Sequence, residues 1–194
     1  MRFVEWMRVS AFVVLGVSAC SGSDDKGEDV RNAGDPPRIS ADDKGRCDVK
    51  GKRVVRLDIN QDKTADVWKL YATKVESGAK VDVLTCKEMD INFDGRRDVW
   101  MYYDESGNRK MEETDLDFDG KIDLVTIRQA GKVVRQEMDT DFDGKADIWK
   151  YFEEDKIARL DRDSNHDGKI DYWEYYEGGA LHRIGYDKNG DGRV

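Results

Sequence analysis

Aspartate residues recur along this chain at a spacing that suits the coordination of a hard cation. Five stretches carry Asp at position 1, Asp or Asn at position 3, and Asp at positions 5 and 9: DINQDKTAD, DINFDGRRD, DLDFDGKID, DTDFDGKAD and DSNHDGKID. In a tight loop, alternate residues can point their oxygens at one centre, position 7 can add its backbone carbonyl, and position 9 can close the site. Calcium takes about six to eight oxygen ligands, so the pattern predicts calcium (Ca²⁺) loops.

These stretches belong to an internal repeat. A sixth, DKNGDGRV, stops at Val194 before reaching position 9, so we expect its cation to need water, the terminal carboxylate or a neighbouring molecule. The loops begin at Asp58, Asp90, Asp115, Asp139, Asp163 and Asp187, with offsets of 32, 25, 24, 24 and 24 residues. One such stretch is often only a polar turn, but six in register favour a repeated structural unit.

The complete loops supply the predicted ligands from positions 1, 3, 5 and 9 and from the carbonyl at position 7. They are Asp90, Asn92, Asp94, Arg96 and Asp98 in the second loop; Asp115, Asp117, Asp119, Lys121 and Asp123 in the third; Asp139, Asp141, Asp143, Lys145 and Asp147 in the fourth; and Asp163, Asn165, Asp167, Lys169 and Asp171 in the fifth. The sixth loop offers Asp187, Asn189 and Asp191.

The first loop departs from the pattern. Its candidate ligands are Asp58, Asn60, Asp62 and Asp66, but Lys63 stands at position 6. The other loops have glycine there, at Gly95, Gly120, Gly144, Gly168 and Gly192. Glycine permits the sharp turn, whereas lysine adds a Cβ and a positive charge. We therefore expect the first site to be the weakest or empty.

The segments between the loops predict strands. After a twelve-residue loop, a 24-residue period leaves too little chain for two ordinary helices. Residues 147–163 instead give DIWKYF, EEDK and IARLDRD, which is the pattern of strand, turn and strand. We predict an all-β fold for residues 46–194: an antiparallel meander of repeated β-hairpins linked by acidic calcium loops.

Aromatic residues should share one face of this sheet. A period of two places Trp100 with Tyr102, Trp149 with Tyr151, and Trp173 with Tyr175 on a common face; Trp68 and Val125 take the tryptophan position in the other repeats. A buried aromatic stripe is favoured, and an exposed platform for carbohydrate remains open.

Glu174 has two interpretations. It stands at position 12 of residues 163–174, DSNHDGKIDYWE, and could be a ligand there. It also lies between Trp173 and Tyr175 in a predicted strand, which is the interpretation that we favour.

The N-terminal residues predict export. Arg2 and Arg8 precede an apolar run over residues 9–17 that is too short to span a bilayer, so residues 1–19 are predicted to be a signal peptide. Residues 20–45 are rich in Ser, Asp and Gly and should form a flexible tether. Two further cysteines, Cys47 and Cys86, are expected to form a disulfide in an oxidising compartment, with two buried thiols as the alternative.

The stretch Val17-Ser18-Ala19-Cys20 resembles the lipobox of bacterial lipoproteins. That resemblance implies that Cys20 is lipidated and becomes the mature N-terminus. Ser21 stands where inner-membrane lipoproteins have Asp, which implies anchoring in the outer membrane.

Charge and catalytic motifs narrow the function classes. The net charge of −9 disfavours nucleic acid and favours cations. The only histidines are His166 and His182, and the chain has neither a Gly-x-Ser-x-Gly nor a His-Glu-x-x-His motif. We expect both histidines to be incidental and the protein not to be an enzyme; a carboxylate-dependent hydrolase is the weaker alternative.

The loops resemble the DxDxDG calcium motifs of EF-hand, dockerin and thrombospondin type 3 repeats, and most closely the DxDxDGxxD hairpin loops of integrin-type propeller blades. The resemblance covers the loops alone and implies calcium binding. The sequence therefore predicts a lipid-anchored, calcium-binding repeat protein of the bacterial envelope with a structural, adhesive or protein-interaction role, and with a protein or carbohydrate partner. A helical sensor or dockerin-like module is the alternative.

Overall fold

The computed structural model describes residues 46–191. The predictions for the signal peptide, for Cys20 and for the tether lie outside the described residues, as do residues 192–194, which include Gly192. Over the described range, no helix is long and apolar enough to cross a membrane.

Eleven strands form one antiparallel sheet in which the order along the chain is also the order in space. The strands are β1 Arg53–Leu57, β2 Val67–Glu76, β3 Ala79–Met89, β4 Val99–Tyr103, β5 Arg109–Thr114, β6 Leu124–Gln129, β7 Lys132–Met138, β8 Ile148–Glu153, β9 Lys156–Arg162, β10 Tyr172–Glu177 and β11 Ala180–Tyr186. The predicted all-β meander is confirmed. The helical EF-hand or dockerin-like alternative is wrong, because strands and not helices flank every loop from the first to the fifth.

Tight turns close the hairpins at one edge of the sheet. Four of the hairpins use two-residue turns in which both residues have positive φ: Ser77 and Gly78, Ala130 and Gly131, Glu154 and Asp155, and Gly178 and Gly179. Such turns match the twist of the flanking strands. The acidic loops join the hairpins to one another and therefore all lie at the other ends of the strands. We call this side of the sheet the loop edge.

A row of tryptophans and carboxylates crosses one face of the sheet. Trp68 pairs with Glu88, which pairs with Trp100, and farther along Trp149 pairs with Asp161, which pairs with Trp173. Trp68, Trp100 and Trp173 are buried, and Trp149 is half-buried. The prediction of a core stripe is confirmed, and these side chains do not form an exposed carbohydrate platform.

The next row on this face combines tyrosine with arginine. Arg159 lies over Tyr151 and Tyr175, with its guanidinium carbon 5.4 and 5.9 Å from the two ring centroids. Its Nε is 2.5 Å from Asp161 in the tryptophan row, and this contact raises the pKa of Arg159. Strand contacts in the described chain join only sheet neighbours. Long arginine side chains thus cover the aromatic rings on this face, as a second layer of strands or helices does in other folds.

Arg46 and Cys47 pack against strands β2 to β4 and form a cap at this end of the sheet. Cys47 and Cys86 are joined in a disulfide with their Cα atoms 6.3 Å apart, and the Cys47 amide donates to Glu88 at 2.9 Å. The guanidinium carbon of Arg46 is 4.6 Å from the ring centroid of Trp100. The disulfide, Trp68, Leu70 and Trp100 form the main buried cluster. The predicted disulfide is present, and it ties the cap to β3.

Candidate metal centre

Backbone hydrogen bonds hold successive loops in register. The amide of Asp147, at position 9 of the fourth loop, donates to Met138, the residue before that loop, at 2.7 Å. The carbonyl of Asp147 accepts from Asp163, which begins the fifth loop, at 2.8 Å. The same two bonds recur at the second and third loops. Because two strands separate neighbouring loops, the loops repeat about every 10 Å along the edge.

Within each loop, the end carboxylates accept the loop's own amides. In the third loop, Asp115 accepts from Phe118 and Gly120, both at 2.7 Å, and Asp123 accepts from Leu116 at 2.6 Å. Asp115 is 2 % exposed and Asp123 is 3 % exposed. Burial raises the pKa of Asp115, and the nearby charges of Asp123 and Asp117 add to that rise. The loop thus brings repelling carboxylates together at the edge, which is a favourable environment for a cation.

In the third and fourth loops, carboxylate oxygens of three predicted ligands lie close together. Oxygens of Asp115, Asp117 and Asp123 lie within 4.8 Å of one another, as do those of Asp139, Asp141 and Asp143. These all-oxygen donor sets fit a hard cation. At position 7, the amides of Lys121 and Lys145 donate to the position-5 carboxylates at 2.8 and 2.9 Å.

Loops with Asn at position 3 are arranged differently. Their Asn side-chain amides donate to the Asp at position 5, at 2.9 to 3.2 Å, in Asn60, Asn92, Asn165 and Asn189. The sequence interpretation treated Asp and Asn at position 3 as equivalent oxygen donors. The structure separates them, because an Asn loop has one carboxylate fewer and satisfies part of its remaining charge internally.

Exchanging the position-3 residues should exchange affinities. We expect Asp117→Asn to weaken calcium binding at the third loop by about 10-fold, since ligand charge sets affinity in such loops. The reciprocal change, Asn92→Asp, should strengthen the second loop. Calorimetric titration of both variants against the unmodified protein measures this, and an unchanged affinity in both would contradict the two-class description.

The first loop keeps the common backbone despite Lys63. Lys63 has a φ of 76°, close to the values of 86° to 93° at Gly95, Gly120, Gly144 and Gly168, and its amide donates to Asp58 at 2.8 Å. Asp66 accepts from Ile59 at 2.6 Å, as position 9 does elsewhere. The loop therefore keeps its shape, and Lys63 adopts a backbone conformation that is strained for a residue with a Cβ.

Relieving that strain should stabilise the protein. We expect Lys63→Gly to raise the free energy of unfolding by about 1 kcal/mol, because a residue with a Cβ is disfavoured at positive φ. Gly120→Ala is the matched control. No atom of a residue beyond its chain neighbours lies within 4 Å of the added Cβ, so the stability that this variant loses reports backbone strain alone. Chemical denaturation should show opposite signs, and equal signs would refute the strain assignment.

The sixth loop is described as far as Asp191. The amide of Gly190, at position 4, donates to Asp187 at 2.8 Å, as position 4 does in the first four loops. The amide of Asn189 also donates to Asp187, at 3.0 Å. Asn189 and Asp191 are exposed.

Glu174 requires a correction as a candidate ligand. It lies in β10, paired with Leu160 and Ile184, and accepts hydrogen bonds from the hydroxyls of Tyr172, at 2.7 Å, and Tyr176. The bond from Tyr176, followed by that from Tyr172, lowers the pKa of Glu174 against the effect of burial. The strand periodicity directs this side chain to the tyrosines on its own face, so the strand interpretation is the correct one.

This arrangement predicts a pH-dependent contribution to stability. A carboxyl group whose pKa is lowered by folding stabilises the native state above its unfolded value, here 4.5, and loses that contribution as pH falls through the folded value. We expect Glu174→Gln to cost about 1 kcal/mol at pH 7 and much less at pH 3. Urea unfolding at both pH values tests this; a cost that does not change with pH would be the contrary result.

His166 was missed as a site residue. At position 4 of the fifth loop, its Nδ1 lies 2.9 Å from Asp147 Oδ1 and 3.0 Å from Asp141 Oδ2, both in the fourth loop. The hydrogen bond to Asp147 raises the pKa of His166. The second to fourth loops carry Phe at position 4, so the single histidine in that column was the available signal.

Comparison with known proteins gives weak structural likenesses. No protein-family model and no curated protein matches the chain. A crystal structure of accessory secretory protein 1, 2 and 3 in Streptococcus pneumoniae is similar over 59% of this chain and 19% of that chain, at 12% identity and a TM-score of 0.38. A crystal structure of TarM is similar over 66% and 20%, at 11% identity and a TM-score of 0.35. The matches span about a fifth of either chain, and at these TM-scores they carry no information on function.

Proposed function

We propose that this chain is a lipid-anchored, calcium-binding repeat protein of the bacterial outer membrane with a structural, adhesive or protein-interaction role. The observation that carries the proposal is the set of oxygen clusters in the third and fourth loops, repeated in register along one sheet edge. Calcium would neutralise Asp115, Asp123 and their counterparts, which the fold buries.

Calcium is favoured as the resident ion of the third loop by its donors. Carboxylate and backbone oxygens are hard ligands, and a loop of this kind accommodates the large, flexible coordination sphere of calcium. Magnesium needs a smaller and more regular octahedron, which a row of loop carboxylates provides less readily.

The surface beside the ligands supports a protein-interaction role. Positions 2 and 4 of the loops expose large apolar side chains, at Ile59, Ile91, Phe93, Leu116, Phe118 and Phe142. Apolar side chains grouped on a surface are typical of contact with protein. Because the tryptophans are largely buried, this loop edge favours a protein partner over a carbohydrate one.

Catalysis is not part of the proposal. The carboxylates of the loops accept the amides that shape those loops, which gives them a structural role already. His182 is exposed in β11 with Glu177, at 3.6 Å, as its ion-pair contact, and the position of His166 among loop carboxylates suits binding.

Two measurements test the proposal. Calcium titration of the protein, after a chelator has removed its metal, should reveal several calcium ions per chain. The same protein kept in excess chelator is the reference. Expression with labelled palmitate should label the unmodified chain but not Cys20→Ser. Absence of calcium binding would refute the metal assignment, and equal labelling of the two chains would refute the lipid anchor.

A further inference from the structure

The fourth loop differs from the third in having a nitrogen donor at its carboxylates. Atoms of Asp141, Asp147 and His166 lie within 4.8 Å of one another, and the histidine comes from the following loop. In the other loops of the described chain, position 4 is Gln61, a phenylalanine or Gly190, none of which can supply an imidazole. The cluster is therefore confined to one interval of the array.

Three features favour its use as a ligand set. Asp147 is 4 % exposed, and its Oδ2 already accepts from the amide and the hydroxyl of Thr140, both at 2.8 Å. Its Oδ1 is directed at His166. Asp141 and His166 are exposed, so a cation can reach the cluster from solvent.

We propose that Asp141, Asp147 and the Nδ1 atom of His166 form a binding site for a first-row transition cation of the zinc class, joining the fourth and fifth loops. Imidazole nitrogen is a preferred ligand of such cations and a poor one for calcium. The inference shares Asp141 and Asp147 with the calcium ligands of the fourth loop in the proposed function, so zinc would take the place of calcium in that loop. It does not require calcium in the other loops.

The distances agree with this assignment. Tetrahedral ligand atoms about 2.0 to 2.1 Å from a zinc ion lie about 3.3 to 3.4 Å from one another. The imidazole nitrogen is 2.9 and 3.0 Å from the two carboxylate oxygens, so a cation can enter with side-chain movements of a few tenths of an ångström. On binding, the cation takes the place of the proton on Nδ1; that proton passes to solvent, and the ring stays neutral with its remaining proton on Nε2.

Such a site would have a structural consequence for the array. His166 adopts a left-handed backbone, with a φ of 58°, that matches Phe142 at 62° in the preceding loop. The imidazole therefore reaches the fourth loop without any distortion particular to the fifth. A cation held by residues of both loops would cross-link two repeats that otherwise meet through strand pairing and loop amides.

The test uses zinc and cobalt with the full chain and two variants. His166→Phe introduces the residue that the preceding loops carry at this position, and His182→Asn removes the other histidine as a matched control. We expect the unmodified protein and His182→Asn to bind one equivalent of Zn²⁺ and to show the same visible Co²⁺ spectrum. His166→Phe should bind Zn²⁺ at least about 100-fold more weakly, because a ligand is lost.

The outcomes are decisive in each direction. Equal Zn²⁺ affinity in His166→Phe and the unmodified protein, or no binding by the unmodified protein, would overturn the inference. If His166→Phe does not fold, the ring nitrogens of His166 in the unmodified protein should still shift in NMR spectra on Zn²⁺ addition, and an unmoved ring would be equally contrary. Calcium titration of the same metal-free samples keeps the two proposals separate, since each ion can bind while the other does not.

Discussion

Removal of calcium is expected to lower the thermal midpoint of this protein by tens of degrees. Each occupied site stabilises the native state by about 2.7 kcal/mol when free calcium exceeds the dissociation constant 100-fold. Several such sites rival the whole stability of an ordinary domain, which is about 5 to 15 kcal/mol. For a chain of this size, each kcal/mol shifts the midpoint by about 2 to 4 °C.

The physical cause is the burial of charge at the loop edge. Asp98 is 1 % exposed, and burial, followed by the effects of Asp90 and Asp94, raises its pKa. Without a cation, this carboxylate is partly desolvated beside others of the same sign, whereas a divalent ion removes the repulsion. Thermal unfolding followed by tryptophan fluorescence, in calcium and in chelator, gives the measurement.

Magnesium is the control for this prediction. A general effect of divalent charge would stabilise the protein equally with either ion, whereas loop coordination should favour calcium. Identical midpoints in calcium and in chelator would show that the hydrogen bonds within the loops are enough to stabilise them. Such bonds are those that Asp115 and Asp123 accept from the amides of their own loop.

Loss of the disulfide should have the second large effect. Cys47 and Cys86 are 39 residues apart, and closing a loop of that length restricts the unfolded chain enough to contribute about 4 kcal/mol. The double variant Cys47→Ala, Cys86→Ala should therefore lose about that much in denaturant unfolding, and should release the segment at residue 47 from Trp68 and Trp100.

Reduction provides the matched comparison. Dithiothreitol should destabilise the unmodified protein by a similar amount and leave the double variant unchanged, because its bond is already absent. A protein that unfolds at the same denaturant concentration before and after reduction would show that packing of Cys47 against the tryptophans suffices without the covalent bond.

The fold was predictable because its repeat fixes both spacing and periodicity. A 24-residue period leaves no room for helix pairs, and the alternation in DIWKYF and IARLDRD gave the strands that the structure has as β8 and β9. The hairpin turns followed from the same pattern, since Glu154 and Asp155 lie in EEDK, where the sequence predicted a turn.

What escaped prediction depends on contacts between repeats. The sequence assigns His166 to the fifth loop, and only the register of the sheet shows that its imidazole reaches Asp141 and Asp147 of the fourth. Burial of Trp68 has a similar origin, because Arg97 of the next loop lies over its ring at 4.0 Å and pairs with Glu88 at 2.6 Å. The pattern of residues in one sequence carries no direct signal for side chains that meet across two repeats.

Every strand of the described sheet contacts only the strands that precede and follow it in the chain, so strand pairing joins segments that are close in sequence. Folding can proceed repeat by repeat without the entropic cost of closing long loops, which favours fast assembly. The same connectivity makes the length of the array adjustable: excision of residues 115–138 would join Thr114 to Asp139 and return the chain to the same phase of its repeat. The reach of the loop edge can thus be altered in steps of one repeat while the terminal cap is left intact.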